Sequence, residues 1–129
     1  MSLRLSYMSN KLIELFDGFA QSLIIKDVEK LMGLFSEDAV YDIPQFKLLY
    51  SGKDKIRAFM ESEFSRIEDY GCKKLFVCEE GDNLAVEWSV HYRDNKSGKT
   101  HDDRGVTLIR AKNGLIQNLA EYLDTSRII

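Results

Sequence analysis

The run Val106-Thr107-Leu108-Ile109-Arg110-Ala111-Lys112-Asn113-Gly114-Leu115-Ile116-Gln117-Asn118-Leu119 decides the fold. Two β-rich segments flank Asn113-Gly114, and both residues of that pair tolerate the positive φ of a type I′ turn, which predicts a tight antiparallel hairpin. Upstream, Leu84 to Arg93 alternates with a period of two. Val86, Trp88, Val90 and Tyr92 share one face, while Glu87, Ser89, His91 and Arg93 share the other. Cys72 to Glu79 is a further β-rich run. With Lys99 to Lys112 and Leu115 to Leu123 these segments predict an antiparallel meander, broken at Gly81-Asp82-Asn83, at Asp94 to Gly98 and at Asn113-Gly114.

The first half has a different period. Leu12, Leu15, Phe16, Phe19, Ala20, Leu23 and Ile24 recur at three and four, as on one face of a helix capped by Ser9 or Asn10. Asp27 caps a second, shorter helix with Val28, Leu31, Met32 and Phe35 on one side. After a turn at Ser36-Glu37-Asp38, Ala39 to Ile43 reads as a strand stopped by Pro44, with Phe46 to Tyr50 returning as its partner. A third helix, from Asp54 to about Glu68, gathers Ile56, Phe59, Met60, Phe64 and Ile67 on one face. Helices first and an antiparallel sheet after them is the α+β class, with the helices on one sheet face.

The strand from Val106 to Ala111 is apolar on both sides: Val106 and Leu108 point one way, Thr107, Ile109 and Ala111 the other. Both sides need cover, so a homodimer through the outer sheet face is expected. Cys72 and Cys78 are separated by six extended steps, about 20 Å. That is far beyond the ~7 Å reach of a disulfide, and free thiols filling a sheet face are expected.

The 129 residues suffice for one domain. A second methionine, Met8, marks residues 1–8 as a leader or extension expected to be disordered, and residues 9–129 as the single domain. The net charge of −3 argues against nucleic acid as a partner. The longest apolar runs, such as Leu23-Ile24-Ile25, are far short of a bilayer span, and the first ten residues lack the apolar run of a secretion signal. A cytoplasmic protein with no membrane partner is expected. No phosphate loop, nucleophile elbow or zinc spacing occurs, so no cofactor is expected. His101-Asp102-Asp103 is a poor metal signal, because only His101 and Asp103 share a strand face.

The succession Lys26-Asp27-Val28-Glu29-Lys30-Leu31, Leu34-Phe35-Ser36-Glu37-Asp38-Ala39-Val40-Tyr41 and Ser51-Gly52-Lys53-Asp54-Lys55-Ile56-Arg57-Ala58-Phe59 resembles the opening of the SnoaL-like, nuclear transport factor 2-like superfamily. Val86-Glu87-Trp88, Asn113-Gly114-Leu115-Ile116 and Glu121-Tyr122-Leu123-Asp124 resemble its later strands, so that the likeness covers roughly Leu12 to Ile128. The resemblance implies a cone of three helices against a strongly curved, mostly antiparallel sheet, enclosing an apolar pocket, often in a homodimer. Its members include ketosteroid isomerases, polyketide cyclases, scytalone dehydratase, limonene epoxide hydrolase and proteins without enzymatic activity.

One of these chemistries is excluded by comparison of positions. The isomerases' catalytic Asp, just before the Pro that ends the first strand, corresponds to Ile43. Asp42, one residue earlier, faces the other way. Their oxyanion Tyr aligns with Phe19, their oxyanion Asp with Val106 or a neighbour, and their supporting tyrosines with Phe35 and Met60.

The epoxide hydrolases carry an acidic residue before the Tyr of the final strand, and Glu121 is similar. The Arg and Asp expected on the preceding strand fall near Gly98 and Thr100, with His101, Asp102, Asp103 and Arg104 close by. By parity Leu119, Glu121 and Leu123 face the pocket, and Tyr41 joins Ile43 there. A carboxylate in such a setting is desolvated and its pKa raised toward the useful range of an acid or base. The expected site is therefore Glu121 and Tyr41 as catalytic residues, with Phe19, Tyr41, Ile43, Met60, Trp88, Val90, Leu119 and Leu123 around a small, largely apolar ligand. The alternative is a non-catalytic binding or assembly module of the same fold.

Overall fold

A computed structural model describes the backbone of residues 2–124, with side chains from Leu12 onward. The chain runs α1 (Ser2–Ile25), α2 (Val28–Met32), β1 (Phe35–Ile43), a 3-10 turn (Pro44–Phe46), β2 (Leu48–Ser51), α3 (Lys53–Arg66), β3 (Ile67–Glu80), β4 (Asn83–Asp94), β5 (Thr100–Lys112) and β6 (Leu115–Leu123). Among the described residues the strands form one six-stranded sheet in the order β2-β1-β6-β5-β4-β3, in which β1 and β6 are parallel and the other neighbours antiparallel. This is the α+β architecture, three helices against a curled, unclosed sheet.

Local chemistry sets these elements. Asp27 accepts from the Lys30 N–H at 3.0 Å and so caps α2. Asn113 and Gly114 hold φ of 54° and 77°, the left-handed pair of a type I′ turn between β5 and β6. Leu31, Phe35, Ile56, Leu84, Val86, Ile109, Ile116 and Leu119 are fully buried between the helices and the inner sheet face. Each such side chain contributes about 1.5–3 kcal/mol of hydrophobic stabilisation.

Several boundaries differ from expectation. The α1 backbone begins ahead of Ser9 and Asn10, and the expected leader, residues 1–8, lies outside the residues whose side chains are described. Ile24 leaves the helix's buried face and is 46% exposed. Phe35 keeps the helical spacing of α2 but belongs to β1, because α2 ends at Met32: the Gly33 N–H closes on Glu29, and the Ile116 N–H takes the Leu34 carbonyl into the sheet. Ser36-Glu37-Asp38 is likewise strand, with an irregular register against β6 between Phe35 and Val40. Ile67 starts β3 instead of ending α3.

Two irregularities in β3 shape the cone. One lies between Glu68 and Gly71, where Asp69 has φ 53°, and the other between Lys74 and Phe76. The second exchanges the faces of the strand, so that Cys72 pairs with inward-facing Val90 whereas Cys78 pairs with outward-facing Ala85. Both cysteines are free thiols, but they fill opposite faces instead of one.

The outer sheet face carries an apolar strip that no side chain among the described residues covers. Leu108 is 42% exposed and Tyr122 40%, with Val106, Ala120, Val40 and Ala85 on the same side. The Arg104–Glu87 ion pair, at 3.2 Å, and the His91–Asp102 hydrogen bond, at 2.8 Å, flank it.

Candidate functional site

The inner sheet face and the helices enclose a cavity of about 170 Å³. An engineered apolar cavity of roughly 150 Å³ holds benzene, so this volume fits a molecule of about one ring. Its wall is mostly apolar: Phe16, Phe19, Ala20 and Leu23 from α1, Phe59 and Met60 from α3, Ile43 from β1, Trp88 and Val90 from β4, and Leu123 from β6. Polar groups are set into that wall at separate points.

The central pair comes from the parallel strands. Tyr41 on β1 lies opposite Leu119 on β6, which places Glu121 one pleat further along on the same face. The Tyr41 ring sits among Phe19, Phe35, Tyr50 and Phe59, with centroids 5.4–6.5 Å away. Its hydroxyl donates a short hydrogen bond to Glu121 Oε1. Gln45 then pins the end of β6: its Nε2 donates to the Leu123 carbonyl at 2.8 Å, and its Oε1 accepts from the Leu123 N–H. Pro44 cannot continue the ladder, and the Gln45 amide supplies that pairing from its side chain.

Glu121 is partly buried as a residue, and its carboxyl lines the cavity. Burial pushes its pKa up to about 7, opposed by the Tyr41 hydrogen bond and reinforced by the negative charge of Glu63. Tyr41 itself is held well above the ordinary phenol range by burial and by the adjacent carboxylate, so it stays a donor. Thr107 is the cross-strand neighbour of Glu121 and accepts from Trp88 Nε1 at 2.8 Å. That bond fixes the indole ring against the cavity.

Further polar groups complete the wall. Arg66 at the end of α3 pairs with Glu63 at 2.5 Å and with Asp94 at 3.2 Å. Tyr92 donates to Asp103 at 3.2 Å and stacks on His101; burial and Asp103 push its pKa up to about 12. Burial is also the main cause that raises the pKa values of Tyr70 and Cys72, neighbours on β3. Among the described residues no group of three His, Cys, Asp or Glu side chains is placed to hold a metal ion.

Of the residues singled out from sequence, Phe19, Tyr41, Ile43, Met60, Trp88, Val90, Glu121 and Leu123 line this cavity together. Leu119 does not: it is fully buried in the core, covered by the side chains packed on the inner face. His91 lies on the outer face with Asp102. Sequence reasoning did not place Glu63, Arg66 and Tyr70 in the wall. Tyr92 shares the parity of Trp88 and Val90, and Asp103 is the cross-strand partner of Val90, so both were within reach of the strand pattern.

The family model for the SnoaL-like domain matches residues 14–119. No curated relative matches the chain significantly. Solved structures share the fold at low identity. A protein with a ketosteroid isomerase-like fold from Catenulispora acidiphila, described in complex with trimethylamine, is 17% identical, with 84% of each chain covered and a TM-score of 0.76. An LEH-like epoxide hydrolase of Mycobacterium tuberculosis is 15% identical over 90% of this chain and 84% of its own, with a TM-score of 0.78. A SnoaL-like polyketide cyclase, so described, from Shewanella putrefaciens is 15% identical over 91% and 92%, with a TM-score of 0.79.

Proposed function

From the premise that this chain belongs to the SnoaL-like domain family, we propose that it binds a small, largely apolar organic molecule in the cone and moves a proton on it through Glu121. The family's fold serves isomerases, cyclases and epoxide hydrolases, so the choice rests on the site. One observation carries the reading: a carboxyl held near neutrality inside an apolar cavity, hydrogen-bonded by a buried tyrosine. A base whose pKa lies near the working pH combines a useful ionised fraction with a useful driving force.

In this reading the Glu121 carboxylate takes a proton from a C–H next to a ligand carbonyl. The resulting carboxylic acid returns that proton at the same or a neighbouring carbon. Tyr41 donates to Glu121, not to the ligand, and so it is a positioning residue that favours the charged form. The apolar wall excludes water from the reacting atoms.

The test is solvent deuterium incorporation into a panel of neutral, acidic and basic monocyclic ketones, followed by NMR. The wild type accelerates exchange in at least one of them, and Glu121→Gln, checked for an unchanged fold, loses about 10²–10⁴-fold. Equal rates for the two proteins contradict the assignment, and acceleration of none by the wild type favours the non-catalytic binding module.

We also propose that a second copy of the chain covers the outer sheet face, supported by the apolar strip around Leu108 and Tyr122 and the polar pairs that flank it. A two-fold arrangement lets each strip cover the other.

A further inference from the structure

The hydrogen-bonding capacity of the cavity wall is lopsided. Three carboxylates line it, Glu63, Asp103 and Glu121, against a single guanidinium, that of Arg66. Arg66 is already committed, pairing with Glu63 inside the wall and with Asp94 beside it. A ligand anion therefore meets a surplus of negative charge and no uncommitted cation among the described residues.

The donors are spent in the same way. The Tyr41 hydroxyl donates to Glu121 and the Tyr92 hydroxyl to Asp103. Trp88 Nε1 donates to Thr107. The Thr107 hydroxyl keeps a spare hydrogen. The carboxylates, by contrast, each have about four lone-pair sites and use one or two. A carbonyl entering the cavity finds few donors, the N–H groups left over on Arg66 and the Thr107 hydroxyl, whereas a ligand N–H finds acceptors on Glu63, Asp103 and Glu121.

The same wall carries aromatic rings, Phe19, Phe59 and Trp88 among them. Ring faces attract a cation, more strongly where water is excluded. Negative charge in a cleft with low-dielectric walls also raises the local concentration of cations.

We infer that the ligand of this cavity is a small protonated amine with an apolar body of about one ring. The inference rests on the reading of the cone as a ligand site and names the chemical class it takes. The ammonium sits among the carboxylates and the hydrocarbon body lies against the aromatic and aliphatic wall. Its positive charge also favours the ionised form of Glu121, the form that accepts a proton.

Isothermal titration calorimetry of the full chain at pH 8 with three probes of one shape tests this: cyclohexylammonium, cyclohexanol and cyclohexanecarboxylate. The ammonium binds about tenfold or more tightly than the alcohol, and the carboxylate binds weakest. Glu121→Gln and, independently, Asp103→Asn each reduce the preference for ammonium over alcohol while alcohol binding persists. Equal or tighter binding of the alcohol overturns the amine inference and leaves the cone as a ligand site. Tightest binding of the carboxylate overturns it as well, as does an ammonium preference that both variants retain in full. No binding of any probe removes the ligand-site reading and this inference together.

Discussion

The hydroxyl of Tyr41, on β1, donates directly to the carboxylate of Glu121, on β6, across the parallel strand pair of the sheet. The bond joins a buried phenol to a carboxyl that has lost most of its water, so each group sets the protonation of the other. Removing either partner has a predictable sign.

Consider stability first. The folded pKa of Glu121 lies near 7, above the ~4.3 of an unfolded chain. The native state then holds a proton that the unfolded state has lost, and stability contributed below about pH 4 is lost as pH rises to about 7. Glu121→Gln cannot ionise. Well above pH 7 it is expected to be more stable than the wild type by about 3–4 kcal/mol, with the difference shrinking toward pH 4. Urea unfolding at several pH values measures this.

Tyr41→Phe removes the one hydrogen bond that holds the Glu121 pKa down. A bond to a charged group is worth about 1.5–3 kcal/mol, so the Glu121 transition is expected to move up by roughly one pH unit or more. The acidic limb of any pH–rate profile, where the Glu121 base becomes protonated, moves with it. An unchanged limb contradicts the proposed role of Tyr41.

Gly105 permits no side chain. A Cβ there would run into the Tyr122 carbonyl and lie 2.7 Å from the Trp88 ring. The carbonyl is backbone and Trp88 is tied to Thr107, so neither moves aside freely. Gly105→Ala is expected to lose about 1–3 kcal/mol and to change the tryptophan fluorescence of the cavity wall. Thermal unfolding with fluorescence detection reads both.

Leu108→Lys places a charge at the centre of the outer apolar strip. In light scattering the wild type is expected at the mass of a dimer and the variant at that of a monomer, with no change in the Glu121 titration. A monomeric wild type contradicts the proposed pairing.

Much of this architecture was legible because it depends on local rules. Asn113-Gly114 fixed one hairpin, and the alternation of Val86, Trp88 and Val90 fixed which face of β4 turns inward. Glu121 followed from parity in β6, a strand whose limits were read without error. Legibility failed where the chain breaks its own period. Phe35 continues the helical spacing of α2 but is pulled into β1 by the Leu34–Ile116 hydrogen bond, a partner 82 residues away in sequence. The irregularities in β3 turn Ile67 and Tyr70 into the same wall although a flat strand would separate them. Arg66 and Glu63 enter the site through the packing of α3 over the sheet, which no local pattern encodes.

The central claim is that Glu121 works as an acid and base at neutral pH inside the cone. Its most direct test is an NMR titration of the Glu121 side-chain carboxyl carbon in ¹³C-glutamate-labelled protein, assigned by comparison with Glu121→Gln. A midpoint near pH 7 is expected. A midpoint in the ordinary carboxylate range, around 4.3, contradicts the account, because such a carboxylate lacks the basicity near neutral pH on which the assignment of Glu121 rests.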